Sequence, residues 1–344
     1  MSNLPLAPEG LARMLAPELE VAAVGPALER LAALSLVVRD SDGQAWVHRW
    51  TAEGLAERSA PSELAERCRR AGDYRIWRAR NDTHALEDGI EALRNYLQGG
   101  QFDQAAGVAQ GCLEKLQELS QTLAVASLAA EVLETLPVEH GGFPWIADAE
   151  ARAHWALGLT ARALERSQQL LARNQRLATA EPDRADLQRD LSVSYERMGD
   201  LYQALGQGEP ARQAYLNSLQ IAERLATAEP DRADLQRDLS VSYNSMGDLY
   251  RALGQGEPAR QMYLKDLEIA ERLATAEPDR ADLQIDLATS LVKTGLAADP
   301  PSADQLQRAL TLLETLERQG RLAPADQPKI PALRELLAGL SAET

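Results

Sequence analysis

The sequence has few cysteines and few aromatic residues. Only 2 of its 344 residues are cysteine, and Phe, Trp and Tyr together make up 4%. Cys68 and Cys112 are isolated and show no CxxC spacing, so neither a disulfide framework nor a zinc site is indicated, and the compartment is expected to be reducing. Because aromatic side chains are scarce, the core must be built mainly from Leu, Ala and Val. This composition favours packed helices over large sheets.

Basic residues are outnumbered by acidic ones. There are 36 Lys and Arg against 52 Asp and Glu, which gives a net charge of −16. Such a charge repels phosphate backbones and anionic lipid headgroups, so we expect neither nucleic acid nor membrane as a partner. No apolar run reaches the roughly 18 residues of a membrane span, and Glu9, Arg13 and Glu18 interrupt the segment where a signal peptide would lie. We therefore expect a cytoplasmic protein.

Motifs of catalysis and cofactor binding are also missing from the sequence. There is no GxxxxGK[ST] phosphate loop, no HExxH, and no GxSxG to accompany the fragment His140-Gly141-Gly142, which we expect to be a loop. The four histidines, at positions 48, 84, 140 and 154, show no metal-binding spacing. The chain is thus expected not to be an enzyme and to need no cofactor and no metal.

The sequence does contain an internal repeat. Residues 176–223 and 224–271 align without a gap at a period of 48 and differ at seven positions. A third copy opens at Arg272 and diverges after Gly295, as expected of a worn terminal cap over 272–344. Weaker matches indicate a degenerate unit at about 128–175. A repeat of this length predicts an array in which each unit packs only on its neighbours.

Each clean unit is predicted to form two helices. In the first unit a stripe of apolar residues recurs at steps of four and three, the spacing of one helix face: Leu191, Tyr195, Met198, Tyr202 and Leu205. Gly206 and Gly208 then end this helix, and Pro210 starts the next one. The second helix ends near Pro230, which blocks the preceding helical turn. The unit is therefore a helical hairpin.

These hairpins resemble the tetratricopeptide (TPR) family. The residues that carry the resemblance are Tyr195, Met198, Gly199, Tyr202, Gly206, Ala211 and Tyr215, and they recur 48 residues later. The resemblance implies paired helices that a small residue lets approach closely, with aromatic side chains filling the gaps. It also implies an α-solenoid whose first helices line a concave, peptide-binding surface. The period departs from the family's 34 residues. Ser218 and Asp266 stand where the family has a small residue, and we expect longer helices to leave Asp266 near solvent.

The N-terminal segment is predicted to contain a short helix and a β-hairpin. The Asp40–Gly43 turn lies between Leu36–Arg39 and Ala45–Trp50, both of which are β-prone. A predicted helix over Glu53–Arg58, capped by Thr51, follows. The order of helix, helix, hairpin and helix resembles a winged-helix unit. With Leu28, Leu31, Leu34–Val37 and Val47–Arg49, it resembles in particular the unit that follows the nucleotide-binding core of STAND-type (NB-ARC/NACHT-like) signalling ATPases. The resemblance places His48 in that family's ADP-sensing Met-His-Asp motif. Val47 and Arg49 depart from the motif, so we expect a structural role for His48.

A basic run follows this unit. Its members are Arg67, Arg69, Arg70, Arg75, Arg78 and Arg80, with Tyr74 and Trp77 between them. Such a run is compatible with a patch for nucleic acid or an acidic partner. Glu63, Glu66 and Asp73 dilute its charge, which favours a solvated helix face.

The predicted fold class is mainly α, an α-solenoid of TPR-like helical hairpins with a small N-terminal winged-helix-like unit. We divide the chain into residues 1–60 for that unit, 61–140 for helical linker repeats and 141–344 for the solenoid. The predicted function is a non-enzymatic protein-interaction and sensing module, the C-terminal sensor or scaffold of a STAND-type system with a separate or upstream ATPase. Alternatives are a free-standing TPR adaptor, a winged-helix transcription regulator, and an enzyme whose site is not recognised.

The differences between the two clean units point to a candidate binding surface. On the first helix they fall at Glu196/Asn244, Arg197/Ser245 and Gln203/Arg251, away from the core stripe. With Asp200 and Asp248, these eight residues form the predicted concave site. Its charges favour a protein or peptide segment with basic residues. Random drift of exposed positions after duplication would explain the differences equally well, and four further differences lie on the second helix.

Overall fold

The computed structural model describes residues 21–34, 37–39, 45–47, 57–81 and 85–342. The chain divides into two units, Met1–Leu170 and Leu171–Thr344, here called unit 1 and unit 2. The helices, in chain order, are α1 (Val21–Ala33), α2 (Pro61–Asn81), α3 (Ala85–Gln98), α4 (Phe102–Glu118), α5 (Thr122–Thr135), α6 (Phe143–Ala156), α7 (Thr160–Ala180), α8 (Ala185–Ala204), α9 (Gly208–Ala228), α10 (Ala233–Ala252), α11 (Gly256–Ala276), α12 (Ala281–Leu296), α13 (Ala303–Arg318) and α14 (Lys329–Ala342). The predicted mainly α class is confirmed.

A β-hairpin follows the N-terminal helix. Its strands, β1 (Val37–Arg39) and β2 (Ala45–Val47), pair antiparallel with Val37 opposite Val47, and α1 contacts β1. The two strands confirm the predicted hairpin, whereas its turn and His48 lie outside the described residues. The assignment to a winged-helix-like unit stays a prediction, as do the domain boundaries near residues 60 and 140.

The two clean repeats fold as the helical hairpins α8–α9 and α10–α11. At the end of α8, Gly206 adopts a φ of 71°, and the N–H of Gln207 donates to the Tyr202 carbonyl at 2.8 Å. This is the Schellman arrangement, which satisfies a terminal carbonyl and requires a left-handed residue. Gly254 has the same φ at the end of α10. The predicted break inside each repeat is therefore confirmed.

A glycine on the first helix lets each hairpin close tightly. A Cβ added at Gly199 would lie 2.5 Å from the Tyr215 ring, and one at Gly247 would lie 2.5 Å from the Tyr263 ring. Both tyrosines are buried, so each ring fills the space that a side chain would otherwise occupy. This close approach is the packing implied by the TPR resemblance. The predicted α-solenoid of TPR-like hairpins is confirmed.

The same contact occurs in the α2–α3 hairpin of unit 1. A Cβ added at Gly72 would lie 2.5 Å from the Tyr96 ring, and Tyr96 Oη donates to Asp73 Oδ1 at 2.8 Å. The glycine and tyrosine are 24 residues apart here, against 16 for Gly199 and Tyr215. A comparison at one fixed period therefore misses this hairpin.

Ion pairs connect each first helix to the next. Arg189 of α8 donates to both carboxylate oxygens of Asp238 in α10, at 3.0 Å to Oδ1. One repeat later, Arg237 of α10 donates to Asp286 of α12 at 2.6 Å. Each of these contacts reaches only the neighbouring repeat, so the stability of unit 2 is approximately a sum of hairpin and nearest-neighbour terms.

The residues after the clean repeats, which we predict to be a cap, pack against the last clean repeat. Five leucines of this segment are buried: Leu273, Leu283, Leu287, Leu310 and Leu313. One hydrophobic cluster joins Leu267 of α11 with residues of α12, α13 and α14, including Leu306 and Ile330. The cap is thus continuous with the core of the last clean repeat. Within the described part of the chain, no helix combines the length and apolarity needed to cross a membrane.

Candidate protein-binding face

The first helices of successive repeats lie next to one another. α8 contacts α10, and Lys293 of α12 reaches back to Asp248 of α10. Their outer side chains form what we call the first-helix face. Its members are the predicted residues Glu196, Arg197, Asp200, Gln203, Asn244, Ser245, Asp248 and Arg251, together with Val193, Val241 and Lys293.

The predicted residues differ in how far they reach the surface. Asp200 and Arg251 are exposed, whereas the other six are half-buried. Two apolar side chains are also exposed, Val193 at 39% and Val241 at 49%. They lie four residues before Arg197 and Ser245, one helical turn away on the same side of the helix. The face therefore offers apolar contact beside charged groups.

A tyrosine from the second helix of the hairpin fixes each aspartate of the face. Tyr215 Oη donates to Asp200 Oδ1 at 2.6 Å, and Tyr263 Oη donates to Asp248 Oδ1 at 2.7 Å. Desolvation by neighbouring groups raises the pKa of Asp200, and the charge of Asp248 adds to this rise. The Tyr215 hydrogen bond and the charge of Arg197 oppose it. The other carboxylate oxygen of each aspartate, Oδ2, can accept a hydrogen bond from a second donor.

In the second clean repeat, the second donor is Lys293 of α12. Lys293 Nζ lies 2.5 Å from Asp248 Oδ2 and also donates to Asn244 Oδ1. It is 5.9 Å from the centroid of the Tyr263 ring, within the range of a cation–π interaction. Lys293 is not among the site residues predicted from the sequence. The available signal was its repeat position, which it shares with Ser245.

Asp266 is buried, so the expectation that it lies near solvent is wrong. The residue is 2% exposed, and it accepts hydrogen bonds from the Ser240 hydroxyl and, at 3.4 Å, from the Asn244 amide. Burial raises the pKa of its carboxyl, while the Ser240 and Ser290 hydroxyls and the charge of Lys293 oppose the rise. The adjacent helices α10 and α12 cover Asp266, so the greater length of the helices does not bring it to the surface.

Glu196 occupies the position of Asn244 one repeat earlier, and its carboxylate is poorly satisfied. Both oxygens are buried, and neither accepts a hydrogen bond from the described residues. Burial raises the pKa of this carboxyl to about 7, and Asp200 adds to the rise. The Ser245 and Ser218 hydroxyls approach without good hydrogen-bond geometry and oppose it. A buried carboxylate in this state favours a proton or a cationic donor.

The other predicted residues lie around these carboxylates. Gln203 Oε1 accepts a hydrogen bond from Tyr215 Oη at 3.0 Å. Arg251, its counterpart in the second repeat, places a guanidinium nitrogen 3.7 Å from Asp248 Oδ1. Burial lowers the pKa of Arg197, and the charge of Asp200 opposes this change. The face thus carries both signs of charge, with the least satisfied acidic group at Glu196.

Five arginines of α2 in unit 1 pair with carboxylates of the protein: Arg67, Arg69, Arg70, Arg75 and Arg78. Arg69 and Arg70 both donate to Glu66, and these bonds lower the pKa of Glu66 to about 2. The Arg75 side chain is 1% exposed and donates at 2.8 Å to Asp88, which is fully buried. Arg75 therefore does not belong to the solvated face expected for this run, because its charge is neutralised inside the α2–α3 hairpin.

The described residues include no group of His, Cys, Asp and Glu that could hold a metal ion. Cys68 and Cys112 are free and buried. Burial raises the pKa of both thiols, that of Cys112 to about 11, which disfavours the reactive thiolate. His140 lies in the turn before α6, where its Nδ1 accepts the N–H of Gly142 at 3.0 Å. This is the loop expected for that fragment.

No protein-family model matches the chain, and no curated protein matches its sequence. Several solved structures do match. A thermophilic TPR protein of Thermus thermophilus is 20% identical, with 68% of this chain and 98% of that chain covered and a TM-score of 0.38. BtubC of P. vanneervenii is 16% identical, with 77% and 94% covered and a TM-score of 0.40.

A third match is a Signal Transduction ATPase with Numerous Domains (STAND) protein from Pyrococcus horikoshii that has a tetratricopeptide repeat sensor. It is 14% identical, with 93% of this chain and 50% of that chain covered and a TM-score of 0.39. Similarity at this level carries no function over to the chain. The TPR-like fold follows from the hairpin packing described above.

Proposed function

We propose that the chain is a non-enzymatic protein-interaction module whose first-helix face binds an extended polar segment carrying basic residues. The observation that carries this proposal is the Glu196 carboxylate, whose oxygens are buried and accept no well-formed hydrogen bond from the described residues, next to the exposed Asp200. A basic side chain of a partner would supply the missing donor. Charge-assisted hydrogen bonds of this kind contribute about 1.5–3 kcal/mol each.

The arrangement of the face supports an extended ligand. α8, α10 and α12 follow one another through contacts between first helices, so equivalent positions recur along the face. Val193 and Val241 provide exposed apolar contact at two successive positions. By resemblance to TPR proteins, the first helices line the concave surface. A segment that spans two repeats would meet a valine in each and the acidic pair Glu196 and Asp200 in the first.

Peptide display on the full chain tests this proposal. Peptides selected from an unbiased library should be enriched in Lys and Arg. Their affinity should fall at least about tenfold in the double variant Asp200→Asn, Asp248→Asn. Asparagine keeps an acceptor for Tyr215 and Tyr263 while removing the charge, which makes it a cleaner change than alanine.

A matched control removes the same charge from the second helix of the last clean repeat. Glu257 and Glu268 are both exposed on α11, and the double variant Glu257→Gln, Glu268→Gln should leave affinity within about twofold. Equal losses in the two double variants would show that binding follows overall charge and does not involve the first-helix face.

The finer proposal is that this module is the C-terminal sensor or scaffold part of a STAND-type system. It is supported by the order of α1 and the β1–β2 hairpin ahead of the helical repeats. We expect calorimetry with ADP and ATP to give no binding, since the sequence has no phosphate loop. Micromolar ADP binding that is abolished by His48→Ala would instead make the N-terminal unit a nucleotide sensor.

A further inference from the structure

Lys293 provides an internal example of how the first-helix face holds an ammonium group. Its Nζ contacts Asp248 Oδ2 at 2.5 Å and the Asn244 side-chain oxygen, and it lies near the Tyr263 ring. Tyr263 also fixes the other oxygen of Asp248. An aspartate, a second acceptor one helical turn earlier and a tyrosine ring thus surround the lysine. All three belong to the hairpin before the one that carries the lysine.

One repeat earlier, the acceptors are present and the lysine is not. Asp200 is fixed by Tyr215 in the same way, and Glu196 stands in place of Asn244. The residue at the position of Lys293 is Ser245, whose short side chain carries no charge. Positions 196 and 200 therefore carry one more negative charge than the equivalent positions 244 and 248, and no lysine from the following helix meets it.

The amino-acid differences at two repeat positions leave each hairpin with one acidic side chain whose carboxyl group is buried. The first clean repeat has Glu196 and Ser218, whereas the second has Asn244 and Asp266. In the second repeat, Ser240, Asn244 and Lys293 all act on that acid. In the first, neither oxygen of Glu196 accepts a hydrogen bond from the described residues, Arg197 included. The exchange leaves a donor missing at one defined place.

We infer that this place is a subsite for a lysine side chain of a bound polypeptide, whose ammonium group lies between Glu196 and Asp200 beside the Tyr215 ring. The inference rests on the proposed function and specifies it further. Exposure of Asp200 gives access from solvent. The internal lysine of the next repeat shows that the equivalent acceptors hold an ammonium group in the same fold.

The first test uses the chain alone. Ser245→Lys should place an ammonium group at the subsite, raise Tm, and lower the pKa of Glu196 from about 7 to about 5 or below, followed by carbon NMR of labelled glutamate carboxyls. Ser245→Gln is the matched neutral variant and should not lower that pKa. A lower Tm in Ser245→Lys together with an unchanged Glu196 titration would overturn the subsite.

The second test uses a short acetylated glycine–serine peptide with one central lysine. NMR titration of valine methyl groups should show binding to the wild-type chain through shifts at Val193 and Val241. The matched glutamine-centred peptide, and the lysine peptide on Ser245→Lys, should bind at least about tenfold more weakly. Undiminished binding to Ser245→Lys, or equal binding of an arginine-centred peptide, would overturn the assignment to lysine.

The two proposals can fail separately. If library-selected peptides lose affinity in the Asp200→Asn, Asp248→Asn variant but bind Ser245→Lys as well as wild type, the face binds its partner and the lysine subsite is wrong. If those peptides are unaffected by either change, the proposed function and the subsite are both wrong.

Discussion

Lys293 of α12 and Asp248 of α10 form an ion pair of 2.5 Å between neighbouring first helices. The two clean repeats differ at only seven positions, yet the equivalent pair is missing one repeat earlier, where Ser245 stands opposite Asp200. The near-identity of the repeats makes this difference informative. Between α10 and α12 the protein supplies its own lysine. At the equivalent place between α8 and α10 we assign the lysine to a partner.

Replacement of a packing glycine should destabilise unit 2. In Gly247→Ala the added methyl group would lie 2.5 Å from the Tyr263 ring, so the hairpin must open or the ring must move, which costs about 1–3 kcal/mol. Urea denaturation measures this loss. Gly256→Ala is the control, since no atom lies within 4 Å of the added Cβ. Its unfolding free energy should be unchanged or raised by up to about 1 kcal/mol.

Removal of the Glu196 charge should change the pH dependence of stability. The pKa of this carboxyl is about 7 in the folded chain against 4.5 for an unperturbed glutamate. The folded state therefore holds a proton that the unfolded state releases between these values. The contribution of this proton to the free energy of unfolding falls as pH rises through this window, by about 3 kcal/mol in total.

Glu196→Gln has no such proton to lose. The difference in unfolding free energy between this variant and wild type should therefore grow in favour of the variant from pH 4.5 to 7 and level off above. Urea titrations at pH 5 and pH 8 measure it. A difference that is the same at both pH values would show that Glu196 ionises normally.

Loss of the buried partner of Arg75 should be costly. Asp88→Asn removes the carboxylate charge that pairs with both Arg75 and Arg78 inside the α2–α3 hairpin, where the Arg75 and Asp88 side chains are essentially inaccessible. Breaking a buried pair in this way costs about 3–5 kcal/mol. Glu63→Gln breaks the exposed pair with Arg67 on the same helix and should change stability by less than about 1 kcal/mol. Thermal and urea denaturation compare the two, and similar effects would contradict the burial of Arg75.

Deletion of the cap should expose the end of the solenoid. Removal of residues 272–344 uncovers Leu267 and Ala270 of α11, which pack in the cap cluster. We expect self-association or loss of solubility, measured by light scattering, and a lower Tm. A truncated chain that stays monodisperse with an unchanged Tm would contradict the capping role of α12–α14.

Local sequence pattern was enough to predict the clean hairpins. Gly206 and Gly254 adopt the left-handed conformation expected at a helix end, and the Gly199–Tyr215 packing follows from the family spacing. The Gly72–Tyr96 hairpin could not be found in the same way, because an intervening segment of different length shifts its tyrosine out of the repeat period. Such hairpins are visible only once the helices are placed in space.

The candidate site was only partly predictable for a different reason. A helical stripe indicates which side of a helix faces its own hairpin, but the next repeat covers part of the opposite side. Glu196 was therefore expected to be exposed, whereas its carboxylate oxygens are buried. Asp266 was expected near solvent and is buried between neighbours. Contacts between repeats depend on the geometry of the array, which the 48-residue period alone does not specify.

Site-specific photo-crosslinking of library-selected peptides to the full chain tests directly whether the first-helix face binds a segment with basic residues. A crosslinking amino acid is placed at Val241 on the first-helix face or at Glu268 on α11, both exposed positions. We expect the selected peptides to be rich in basic residues and to crosslink from position 241 and not from position 268. Peptides that lack basic residues and crosslink from position 268 alone would contradict it.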